Sequence, residues 1–231
     1  MASFSFPSCL GCVGDCNRDH QVTVDEILTM VNIDLGNLPI TACLRGDGNG
    51  DGMITVDEIL LAENNALNGC PVPGLAPVQQ AGSLPGPVAG QEVTQKIGSA
   101  SGARGTRITI PVTLRGGGGI VSATELDILY PNAVLGNPVC VKAASLSGHS
   151  LYTSSHNDPL APSGETRLRA IVVDLTTAST FADGKILSCT FTILASAQPG
   201  TYSITGDRQH VSDHTGNEII STVSDGSVTV Y

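Results

Sequence analysis

Asp15-Cys-Asn17-Arg-Asp19-His-Gln21-Val-Thr23-Val-Asp25-Glu26 and, 32 residues on, Asp47-Gly-Asn49-Gly-Asp51-Gly-Met53-Ile-Thr55-Val-Asp57-Glu58 are two versions of one string. Each puts an oxygen-bearing side chain at loop positions 1, 3, 5, 9 and 12. Position 7 (Gln21, Met53) needs no special side chain, because its main-chain carbonyl is the donor. This is the donor order of a loop that wraps Ca²⁺, a hard cation taking six to eight oxygens, two of them from the terminal glutamate. The sequence therefore predicts two sites. Asp15, Asn17, Asp19, Gln21, Thr23 and Glu26 form one; Asp47, Asn49, Asp51, Met53, Thr55 and Glu58 form the other.

The repeat runs past the loops: between Gly14–Leu35 and Gly46–Leu67, twelve of twenty-two positions are identical. After each loop comes an amphipathic helical pattern, Ile27, Leu28, Val31 and Leu35 in one copy and Ile59, Leu60 and Leu67 in the other. Gly36 and Gly69 stand where helix ends favour glycine. The stretches before the loops hold Pro7 and Pro39 with scattered serines and glycines, so each unit is an EF-hand-type loop followed by a single helix. His20 replaces the glycine usual at loop position 6, where the turn is sharp, which predicts a strained or weaker first site.

Residues 9–70 thereby resemble a dockerin domain, a small helical domain whose two loop–helix repeats pair around calcium. The resemblance implies binding to a cohesin domain. Positions 10 and 11 of the loops hold Val24-Asp25 and Val56-Asp57, where cellulosomal dockerins often carry small hydroxyl residues, so partner choice does not carry over. In dockerin-like folds the chain ends lie close together, which implies a Cys12–Cys70 clasp.

Charge is uneven. Residues 1–70 carry ten acids and two bases, against eleven and nine in residues 71–231. Such a chain suits neither nucleic acid nor an anionic membrane, and no run of about 18 apolar residues would span a bilayer. Five of the seven cysteines, Cys9, Cys12, Cys16, Cys43 and Cys70, crowd the loops. A domain of this size needs staples, and disulfides and metal are the expected ones. Cys9-x-x-Cys12 and Cys12-x3-Cys16 also have tolerable zinc spacing, but the adjacent carboxylates favour calcium. Oxidised cysteines and calcium predict an extracellular or cell-surface protein, although Met1–Ser8 shows no signal peptide.

Residues 71–91 hold five prolines and four glycines and read as an extended linker. From Glu92 the texture turns to β. Arg107–Arg115 alternates Ile108, Ile110, Val112 and Leu114 against polar residues, and Val121–Tyr130 puts Leu126, Ile128 and Tyr130 opposite Glu125 and Asp127. Further strands read over Arg167–Leu175, Lys185–Leu194, Tyr202–Gly206 and Ser227–Tyr231, separated by glycine, proline and asparagine turns. The order Gly105–Leu114, Thr124–Leu135, Ala182–Phe191, Pro199–Tyr202 and Asp225–Val230 resembles a cohesin domain over residues 92–231. That implies a mainly β protein, a nine-stranded jelly-roll β-sandwich, with a partner that is a dockerin. Cys140 and Cys189, both in strand-like segments, are natural disulfide partners or else buried thiols.

Catalysis finds little support. His149, His156, His210 and His214 lie in segments rich in Ser, Asn, Asp or Gly, and Asp174 and Asp183 sit at ordinary strand or turn positions. His210-x3-His214 with Asp213 is at most a surface metal site. Neither a nucleophile elbow nor a phosphate loop is present. A carbohydrate-binding module is the competing class, but sugar platforms want exposed aromatics, and the chain has no Trp, four Tyr and four Phe.

The expected function is thus a calcium-loaded interaction protein whose dockerin-like head binds the cohesin-like body of another copy, giving a homo-oligomer or filament by heterologous contacts. The alternative is an adaptor joining cohesin or dockerin domains of other proteins. The alternating segment Ala2–Ser8, with Phe4 and Phe6, is expected to add a strand to a neighbouring sandwich.

Overall fold

The structure is a computed structural model that describes residues 12–70, 88–156, 162, 164–175 and 179–231. The expected N-terminal strand over residues 2–8, Cys9, and residues 71–87 of the expected linker lie outside the described residues. Two parts follow: a head (12–70) and a body (88–231).

In the head, helix α1 (Val24–Asp34) and helix α2 (Val56–Asn68) each start at position 10 of a loop, so that the loop's last three residues form the first turn. The last loop residue doubles as the helix cap. Thr23 donates its main-chain N–H to Glu26 Oε2 at 2.9 Å, and Thr55 does the same to Glu58 Oε2 at 3.0 Å, which satisfies a donor that the first turn leaves open. Gly69 ends α2 at φ +84°, and Gly36 follows α1 at φ +74°, the left-handed conformation in which glycine is favoured. A short 3₁₀ turn, Ile40–Ala42, lies between the repeats.

The body is a β-sandwich. Its strands are β1 (Val88–Ile97), β2 (Ala100–Gly102), β3 (Arg107–Arg115), β4 (Val121–Pro131), β5 (Leu135–Lys142) and β6 (Ser150–His156). There follow β7 (Glu165–Val173), β8 (Gly184–Ile193), β9 (Gly200–Asp213), β10 (Ile219–Ser224) and β11 (Gly226–Val230). They form a five-stranded sheet, β10-β1-β3-β8-β5, and a six-stranded sheet, β2-β11-β9-β4-β7-β6. The expectation of nine strands is corrected to eleven among the described residues. The first and last excursions each break and cross between sheets, at Gly98–Ser99 and at Asp225, and their halves pair in parallel as β1 with β10 and β2 with β11. The first strand also begins at Val88, four residues before the expected boundary, because Val88 pairs with Ile219. A pairing partner more than a hundred residues away leaves no local mark.

The sandwich interior holds one apolar cluster, with Phe181, Phe191, Ile110, Leu114, Leu126 and Ile128 all but sealed from solvent. A second cluster is built from the head residues Met30, Val31, Ile54, Val56, Ile59 and Leu60, and it takes in Ala123, Ile171 and Val173 of the body. Head and body therefore share a core.

Among the described residues three disulfides staple the chain: Cys12–Cys70, Cys16–Cys43 and Cys140–Cys189. Non-reducing peptide mapping is expected to recover these three linked pairs, and free thiol at Cys140 and Cys189 would contradict the pairing.

Candidate functional site: two acidic loops and the head–body contact

The two loops fold alike. In the first, Asp15 Oδ1 accepts from Asp19 N at 3.0 Å, Asn17 Oδ1 from the same N–H at 2.8 Å, and Asp19 Oδ1 from Gln21 N at 2.9 Å. The second repeats this: Asp47 Oδ1 accepts from Asp51 N at 3.1 Å, Asn49 Oδ1 from Asp51 N at 2.9 Å, and Asp51 Oδ1 from Met53 N at 2.8 Å. The terminal glutamates reach back across the loops, Glu26 to Asn17 N (3.1 Å) and Glu58 to Gly48 N (2.8 Å). Gln21 and Met53 are exposed at position 7. At position 9 the Thr23 hydroxyl lies 3.0 Å from Glu26, whereas the Thr55 hydroxyl bonds Asp57.

The loops differ in strain. Positions 4 and 6 are left-handed in both, but they are Arg18 (φ 71°) and His20 (φ 68°) in the first and Gly50 (φ 78°) and Gly52 (φ 87°) in the second. Side chains with a Cβ resist this conformation, so the first loop is the more costly to form. Its Asp15, fully buried, also pairs with Arg45 Nη1 at 2.8 Å.

The donor set fits a hard divalent cation. Glu58 is sealed from solvent. Burial pushes its carboxyl up to about 8, with the neighbouring Asp57 adding to the shift and the N–H groups of Thr55, Gly48 and Asn49 opposing it. A carboxylate so placed is short of positive charge. Among the described residues no three His, Cys, Asp or Glu side chains converge as a compact metal cluster; the loop donors include Asn, Thr and main-chain oxygens instead. The zinc spacing is used otherwise, because Cys12 and Cys16 are in disulfides.

The head lies on the outer face of the six-stranded sheet. The alternation in β4 is as expected, but the polar face is not solvent-facing: Glu125 and Asp127 are both fully buried. On the neighbouring β7, Arg167 and Arg169 are buried beside them. Arg169 grips Asp127 through Nε and Nη2, both at 2.7 Å, and its Nη1 donates to the main-chain O of Asp34 and to Asp34 Oδ1. Arg208 donates from Nη2 to Asp34 Oδ1 at 3.3 Å and to Ile54 O at 3.4 Å, while its Nε lies 3.1 Å from Glu125 Oε1. Arg167 bridges Asp127 (2.5 Å) and the half-exposed Asp207 (3.0 Å).

Asp34 closes the last turn of α1 and points its carboxyl into this group. Burial raises it to about 7 against the pull of Arg169 and Arg208, and burial followed by the Asp34 charge raises Glu125 well above the ordinary carboxylate range. Among the described residues four acids face three arginines, His210 also acts on Glu125, and burial favours a proton on the Asp34–Glu125 pair.

The periphery is ordinary packing. The turn between β9 and β10 lies against α2, where a Cβ on Gly216 would stand 2.8 Å from Asp57 O, and Asn64 Nδ2 donates to His214 O. Val56 and Asp57 of the second repeat are buried, whereas Val24 and Asp25 of the first are exposed. His210 pairs with Glu218 at 3.6 Å, and Asp213 binds Thr215 and Asn217, so the His210/Asp213/His214 trio does not converge on a site. Asp174 accepts from Ser179, Asp183 from Gly116 and Gly117, and His149 packs on Phe181, all structural roles.

Sequence reading did not single out Asp34, Arg167, Arg169 or Arg208. A buried salt-bridge face and a solvated one share the same alternation.

A pH dependence follows. The raised carboxyls favour the protonated form when docked and return toward the ordinary 3.8 and 4.5 when the head is released. Docking therefore takes up protons; the part of its stabilisation that comes from protonating Asp34 is full below about pH 4 and is lost as pH rises through about 7. With calcium held constant, the melting temperature of the helical circular-dichroism signal, which comes from the head among the described residues, is expected to fall between pH 5 and pH 8. Asp34→Asn should flatten that slope. An equal melting temperature at both pH values in the unsubstituted chain would contradict the proton-sharing cluster.

The profile of the family described as Cohesin domain matches residues 93–230. Solved structures share the fold. CaCohA2 from Clostridium acetobutylicum is 22% identical, with TM-score 0.50, over 63% of this chain and 94% of that one. A chain of the CaDoc0917–CaCohA2 complex is 21% identical, with TM-score 0.51, over 60% and 99%. The sixth cohesin of Acetivibrio cellulolyticus scaffoldin B, in complex with Cel5 dockerin, is 17% identical, with TM-score 0.50, over 61% and 99%. No curated protein matches. With the profile matched over well more than half its length, the chain belongs to the cohesin domain family.

Proposed function

We propose that this chain is a self-complementary, extracellular interaction protein. Its dockerin-like, calcium-loaded head is the ligand of its own cohesin-like body. The contact closes within one chain when the head folds back, and joins copies head to tail when heads exchange. The observation that carries this reading is the shared core: Ala123, Ile171 and Val173 of the body pack into the head's apolar cluster, beside a buried ionic group that spans both parts. Dockerin complexes solved for CaCohA2 and the scaffoldin B cohesin support reading the head as the partner.

Calcium enters as the organiser of the head. Asp15, Asn17, Asp19, Gln21, Thr23 and Glu26 would hold one ion, and Asp47, Asn49, Asp51, Met53, Thr55 and Glu58 the other. Bound, each ion neutralises converging carboxylates and fixes the start of a helix. Because the two helices carry the docking surface, loss of the metal should undo the contact. The three disulfides suit an oxidising, extracellular setting. Exchange makes a heterologous contact, which closes into rings or runs on as a filament. The adaptor reading, in which other proteins' cohesins or dockerins compete for the same faces, uses the same surfaces and would appear as displacement of the head.

The choice between closure and exchange rests on the tether. Removing residues 74–83 should prevent a head from reaching its own body and drive it onto another copy. Light scattering at micromolar concentration with calcium is expected to show particles of two or more chains for this deletion, dispersing on chelation. Glu58→Gln should raise the calcium concentration required, because an amide is a poor substitute for a bidentate carboxylate. A deletion variant that stays monomeric from micromolar to millimolar concentration, with calcium present, would overturn the self-complementary reading.

A further inference from the structure

On β9 the pairing with β4 slips at one point. Leu126 pairs with Gln209 and Asp127 with Asp207, which leaves Arg208 as the extra residue of a β-bulge. Arg208 is also left-handed, at φ 39°, a conformation that costs a residue with a long side chain. A glycine would adopt it freely. The strain has a visible return. The bulge turns the Arg208 side chain onto the head, where Nη2 reaches Asp34 Oδ1 at 3.3 Å and Ile54 O at 3.4 Å, while Nε stays 3.1 Å from Glu125 of its own sheet. Arg169 completes the seat by donating to the main-chain O of Asp34.

We propose that the strained Arg208 bulge is the specificity determinant by which the body selects its partner. The partner it fits is a helix whose last turn ends in an acidic side chain. The chemistry is matched on both sides. A helix C-terminus presents free carbonyls and partial negative charge, and the planar guanidinium offers several donors in a fixed fork. The internal repeat shows how selective this is. The counterpart of Asp34 in the second repeat is Ala66, which is exposed. Only the end of α1 therefore carries the acid, and the two related helices are not interchangeable on this seat. Among heads presented by other copies or other chains, those with an acid at the position of Asp34 would be accepted.

This inference rests on the head–body pairing, and the test separates the two. A protease site is placed between residues 74 and 83 of the full chain, the folded chain is cut, and dissociation of head from body on dilution is measured. None of the three disulfides joins the two parts. The unsubstituted cut chain is expected to stay associated at micromolar concentration with calcium. Arg208→Gly should weaken association by about ten- to hundredfold, the value of about one charge-assisted hydrogen bond. The cut Arg208→Gly chain should keep the β circular-dichroism signal of the unsubstituted one, because glycine adopts the left-handed bulge freely. Arg208→Lys should fall between, a point charge lacking the fork. Equal association for Arg208→Gly and the unsubstituted chain would overturn the proposal. So would loss of that β signal alongside the loss of association, since that marks a merely structural arginine. If the unsubstituted pieces separate, the head–body pairing itself fails, and this inference with it.

Discussion

Glu125, Asp127, Arg167 and Arg169 occupy the outer face of a β-sheet and yet are withheld from water. Charges removed from solvent are costly unless each finds partners, and removing one member of such a group leaves the others stranded. The head brings what the sheet lacks: the Asp34 carboxyl, the main-chain O of Asp34 at the end of α1, and Ile54 O. It also brings the apolar border that gives the contact its drive, because Ala123, Ile171 and Val173 are buried in one cluster with Ile59, Leu60 and other head residues. The ionic centre is better understood as a lock on orientation than as the source of affinity.

That arrangement explains why so small a head can be ordered. Two helices of eleven and thirteen residues bury little surface alone. Cys12–Cys70 ties the ends of the head, Cys16–Cys43 ties the first loop to the segment before the second, and the helix caps are made by the same glutamates that terminate the loops. Loop geometry, helix start and docking surface are therefore coupled. Glu58 itself belongs to the first turn of α2, whose Asp57 lies under the Gly216 turn of the body.

Much of this was legible in the sequence, for definite reasons. Loop positions are strict, so the repeat read directly, and Ile108–Leu114 alternated as a half-buried strand does. The strain at His20 was visible because position 6 wants glycine, and the structure adds Arg18 at position 4. The Cys12–Cys70 and Cys140–Cys189 pairs were anticipated from the dockerin resemblance and from grouping. What stayed hidden depends on distant contacts. The polar face of β4 carries the same pattern whether water or a second domain covers it. The crossing of strands at Gly98–Ser99 and Asp225 depends on parallel partners far along the chain. Arg208 looked like any charged residue on a strand, since a bulge is defined only by the register of its neighbour.

The central claim is that the head covers the β9–β4–β7 face of its own chain. Small-angle X-ray scattering of the calcium-loaded protein, extrapolated to zero concentration, tests it most directly. A single compact body of this length has a radius of gyration of about 17 Å, and the account predicts a value close to that together with the mass of one chain. A one-chain mass with a markedly larger radius, and a distance distribution showing two separate lobes, would contradict it.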